Sequence, residues 1–128
     1  MPVEWTRDDA RRLFTAVATG PLILAEVLVM TQTYRIGEYR PYKLLFDASA
    51  ATTDARTPEV RSLVAGIGAA ARESARGPVA VVATDSVLYG MARMYQTLAE
   101  EVGVSNIRVF RTVADAEEWL DVKGGAPG

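Results

Sequence analysis

Residues 79–83 of this chain, Val-Ala-Val-Val-Ala, form an unbroken apolar run behind Gly77-Pro78. A run so short and β-branched, with no polar alternation, predicts a strand covered on both faces inside a parallel sheet. The period then changes. Leu88, Ala92, Tyr95, Ala99 and Val102 recur every three or four residues, which predicts a helix capped by Asp85 and stopped by Gly103. Residues 107–110 predict the next strand. Thr112 then caps a last helix, with Asp115 three residues on and Ala116, Trp119 and Leu120 as its buried edge.

Upstream, residues 3–6 and 13–19 predict an antiparallel hairpin around Asp8-Asp9, ended by Gly20-Pro21. Leu24, Val27, Leu28, Thr31 and Tyr34 predict a first helix closing near Gly37, with 38–41 as the loop to a strand at 44–47 and a further loop over 48–56. Thr57-Pro58-Glu59 opens another helix: threonine caps, proline takes the position where its missing N–H costs nothing, and glutamate complements the helix dipole. The element order is β-β-α-β-α-β-α-β-α. The expected fold class is α/β, a five-stranded mixed sheet with a hairpin strand at one edge. Residues 1–122 make one domain, and 123–128 are expected to be a disordered tail.

Composition narrows the chemistry. The 128 residues include no cysteine and no histidine, which removes thiol chemistry, disulfides, the commonest general base and the commonest transition-metal ligand. A net charge of −2 and scattered basic residues give no field for nucleic acid. No apolar run approaches the ~20 residues that span a bilayer, and the N-terminus has no signal core. A cytoplasmic protein with no membrane span, no cofactor and no metal is expected.

In an open α/β sheet, ligands favour the carboxyl ends of parallel strands and the helix N-termini beside them. Those positions hold Asp47, Ser49, Asp85, Ser86, Tyr89 and Arg93, the expected ligand-binding set. Tyr89 and Arg93, four residues apart on one helix face, suit an anionic or amide-bearing ligand; packing of Tyr89 and solvation of Arg93 is the plainer reading. Asp47 and Asp85 have the makings of an acid/base pair, but capping is the commoner use of such residues. Val87, Met91 and Met94 form a second apolar stripe beside the core-facing one, an expected interface and a reason to expect a homodimer.

The VAVVA strand, the D-S-x-x-Y-G-M-A-R-M-Y helix start and the closing R-V-F-R-T-V-A-D-A-E-E-W-L together resemble the small bacterial proteins called SpoIIAA-like or STAS-like. These are related in fold to anti-sigma factor antagonists and, distantly, to CRAL-TRIO lipid-binding domains. The resemblance implies helices mainly on one side of the sheet, with a partner subunit as a candidate to cover the other face. It implies a non-catalytic regulatory or protein-interaction module, with a binder of a small anionic or amphipathic, lipid-like ligand as the alternative; Asp47 and Asp85 themselves leave a hydrolase or metal-dependent enzyme as the third reading. It also brings in a phosphorylation switch at a D-S-S-G motif. This chain has DASAATTDARTPEV there, leaving Thr57, Thr53 and Ser86 as candidate phosphoacceptors and Thr57 foremost a cap.

Overall fold

A computed structural model describes residues 3–23, 37–39, 41–53, 58, 60–62, 65 and 77–124. Five strands, β1 (Val3–Asp8), β2 (Leu13–Leu22), β3 (Lys43–Thr53), β4 (Val79–Ala83) and β5 (Ile107–Phe110), lie side by side in sequence order. β1 pairs antiparallel with β2, and every later neighbour is parallel. Two complete helices follow the last two strands, α1 (Ser86–Glu101) and α2 (Val113–Gly124), and residues 58, 60–62 and 65 are also helical. The helix expected at 24–34, the cap Thr57 and the terminal 125–128 lie outside the described residues. α2 itself runs to Gly124, two residues into the expected tail.

The α/β class and the mixed five-stranded sheet are as expected, with the hairpin strand at one edge. The hairpin turns where the amide of Arg11 donates to Asp8 Oδ1 (3.1 Å) and that of Arg12 to the Asp9 carbonyl (3.3 Å). Arg12 closes the turn in the left-handed region, at φ 51°.

Two strands are longer than their patterns suggest. β2 continues through Gly20-Pro21 to Leu22, and β3 continues through the expected loop to Thr53. Pro21 is tolerated because β1 begins opposite Ala18, so beyond that point β2 pairs with no described strand on that side and needs no donor there. The register shifts between Val17↔Asp47 and Thr19↔Ala50, so Ala48 and Ser49 together oppose Ala18. This bulge moves the buried positions of β3 from Leu44, Phe46 and Ala48 to Ala51 and Thr53, and the single alternation that would mark one long strand is lost.

Among the described residues both faces carry a helix, whereas the resemblance implied helices mainly on one side. Leu88 of α1 packs with Phe14, Leu44, Phe46 and Ala83, and Ala99 with Ile107, on one face. Val60 lies beside α1, against Leu98, Met91, Met94 and Tyr95. Ala116 and Leu120 of α2 cover Leu13, Leu45, Ala80 and Val82 on the other face. α1 joins two parallel strands, so a right-handed crossover fixes its side. α2, after the last described strand, lies on the apolar surface that α1 leaves uncovered. The chain therefore covers much of the face for which a partner was expected; near β2, Val17 is 41% exposed there.

Gly77 leads into β4 against the loop before β3. A Cβ there would collide with the carbonyl oxygens of Pro41 and Tyr42, so only glycine lets the two segments close.

Candidate functional site

The carboxyl end of β4 opens onto α1 with little slack. Asp85 is extended (φ −61°, ψ 131°), and its Oδ2 accepts from the Leu88 amide at 2.9 Å, the N-cap expected of it. Ser86 is exposed at the first helical position. Tyr89, half-buried against the sheet cluster, presents its ring to Arg111, whose guanidinium carbon stands 3.8 Å from the ring centroid. Arg111 Nη1 also donates to the Thr84 carbonyl at 3.1 Å, tying the end of β5 to the end of β4. Arg93 is exposed one helical turn beyond Tyr89, on the same flank.

Arg111 escaped the sequence reading. The signal was the fold itself: parallel neighbours lie about 4.8 Å apart, so the residue after one strand's end falls beside the start of the preceding helix.

Asp47 and Ser49 sit within β3, at the bulge. Asp47 Oδ1 accepts from both the amide (3.1 Å) and the hydroxyl (2.6 Å) of Ser49. Asp47 pairs with Val82, whose side chain belongs to the α2 face, whereas Asp85 caps α1 on the other face. The two carboxylates of the acid/base reading thus serve separate local hydrogen bonds on opposite faces. Among the described residues, no group of three His, Cys, Asp or Glu is placed to hold a metal ion.

Of the three candidate phosphoacceptors, Ser86 is exposed. Thr53 is 9% exposed and its hydroxyl reaches the Leu22 carbonyl at 3.5 Å, so it is a strand residue rather than a surface acceptor. Thr57 lies outside the described residues. Of the expected interface residues, Val87 is 56% exposed, and Met91 and Met94 are half-buried, packed on one side against Val60 and Leu98 within the chain. The second stripe on α1 is wide because α1 has two intramolecular neighbours, the sheet and the segment carrying Val60.

At the opposite end of the sheet lies a cluster the sequence did not announce. Phe14 contacts Trp5, Tyr39 and Tyr42 with ring centroids 6.0, 6.0 and 5.6 Å away. Arg7 lies 4.4 Å from the Tyr39 ring and pairs with Asp9 at 2.9 Å, and Arg12 lies 5.5 Å from the Tyr42 ring. The Tyr42 hydroxyl donates to Asp9 Oδ1 at 2.8 Å. That bond, then burial, then the Asp9 charge hold the Tyr42 phenol above the ordinary tyrosine value, against opposition from Arg12 and Arg7.

No protein-family model matches the chain, and no curated protein matches it.

Proposed function

We propose that the chain is a non-catalytic regulatory or protein-interaction module, STAS-like in class and cytoplasmic in a bacterium, that recognises its partner with the carboxyl edge of β4 and the first turn of α1. The observation that carries the reading is the Arg111 clamp. A cationic side chain held by the Tyr89 ring and the Thr84 carbonyl is ordered before any partner arrives, which lowers the entropic cost of recognition. Ser86 and Arg93 are exposed on the Tyr89 flank of α1 and add hydrogen-bonding and positive charge, suited to an acidic peptide segment. Phosphorylation of Ser86 would place negative charge beside this surface and alter partner choice. Self-association into a homodimer belongs to the same reading.

Selection of peptides from a random displayed library against the immobilised protein tests it. Acidic peptides are expected, bound roughly tenfold or more weakly by Arg111→Ala and Ser86→Glu variants of unchanged melting temperature. Equal binding by both variants sinks the proposal, as does any turnover that disappears in Asp85→Asn. The Tyr89–Arg111 stack also favours a second reading, a small anionic or amphipathic ligand, which saturable binding of phosphate or a short fatty acid at this edge would select.

A further inference from the structure

β5 ends the sheet, and among the described residues its outer side pairs with nothing. The amide of Val79 donates to the Asn106 carbonyl at 2.9 Å, and Val79 stands in register with Ile107. In a parallel ladder this sets the backbone groups of 106, 108 and 110 toward β4 and those of Ile107 and Val109 outward. On the α2 face of this edge Arg108 is exposed and makes no salt bridge among the described residues, while the Phe110 ring lies 5.8 Å from Trp119. Asp115, exposed in the first turn of α2, shares the Trp119 side of that helix. Trp119 Nε1 is buried without a hydrogen-bond partner, as is Gln96 Oε1 on the Tyr89 flank of α1. Two incompletely satisfied polar atoms thus sit on the helix flanks that border the open strand.

We propose that a second copy of this chain docks here, β5 against β5 in antiparallel register about a two-fold axis at Val109, making one continuous sheet through the two protomers. The inference gives a surface to the self-association in the functional reading above. The outward groups of Val109 then meet their own symmetry mates, Ile107 faces Arg111, and Arg108 falls opposite Phe110 on the same face. A guanidinium is delivered onto an aromatic ring beside Asp115, twice by symmetry, so the unpaired cation of each copy meets an anion and a π-face of the other. Registers centred on 108 or 110 would instead oppose two arginines or leave Arg108 unmatched. β1, the other edge, suits pairing less: its Arg7 is already engaged by Asp9 and Tyr39, and Glu4 and Asp8 would line the contact.

Sedimentation equilibrium across the micromolar range tests the pairing. A dimer is expected, weakened roughly tenfold or more by Arg108→Glu, which opposes Asp115 with like charge, and restored by Arg108→Glu combined with Asp115→Arg. Hydrogen exchange on the unmodified protein should show the Ile107 and Val109 amides gaining protection as concentration rises. A monomer throughout overturns both this inference and the self-association it builds on. A dimer indifferent to Arg108→Glu, with those amides unprotected, overturns the β5 surface alone.

Discussion

Gly77 and Tyr42 show how single positions hold the amino end of the sheet. Gly77→Ala sets a methyl group against two backbone carbonyls, which cannot swing aside as a flexible side chain can. Overpacking of this kind costs about 1–3 kcal/mol or more, read as a lower urea midpoint with the slope unchanged. Tyr42 makes a pH-dependent contribution. Its folded-state value is raised, so the native protein holds the phenolic proton more tightly than the unfolded chain does. The contribution is whole below the unfolded value near 10 and is lost as pH rises through the higher folded value. Alkaline ultraviolet titration should show the Tyr42 phenol ionising late, and Asp9→Ala should bring it down. Gly77 could be noticed in the sequence only as a strand opener. The carbonyls it avoids come from a loop 35 residues away, brought there by the pairing of β3 with β4.

At the scale of elements, local chemistry was legible wherever it acts within a few residues. Asp85 caps α1, Thr112 Oγ1 accepts from the Asp115 amide at 3.2 Å, and Gly103 ends α1 at φ 87°. Asp85→Ala should cost about 1 kcal/mol and Asp85→Asn much less, since asparagine also caps; thermal unfolding distinguishes them. The reading failed where an element's meaning depends on its neighbours. The α1 methionines, read as an interface stripe, also touch Val60 and Leu98, and the pattern records only that they are apolar, not what they touch. Met91→Glu with Met94→Glu should therefore lower the melting temperature by burying charge against Val60 and Leu98, rather than yield a stable monomer. The bulge at Ala48-Ser49 misled in the same way: its phase shift made the second half of β3 look like loop.

For the whole molecule, placing α2 opposite α1 decides which surfaces remain open. Leu120→Ala removes the most buried large side chain with which α2 covers Leu13, Leu45 and Val82. A loss of about 2–5 kcal/mol is expected by denaturant unfolding. If α2 were marginal to the core, the change would be nearly silent.

The sequence by itself determined the α/β class, the strand and helix starts of the last third, the caps and stops, and the absence of thiol and imidazole chemistry, because each depends on residue type or short-range spacing. Tertiary structure alone decided the longer β2 and β3, the side taken by α2, the Arg111–Tyr89–Thr84 clamp and the aromatic cluster around Phe14. These join residues far apart in the chain, through pairing and packing between elements, and no local period encodes which distant partner an arginine or a strand edge will meet.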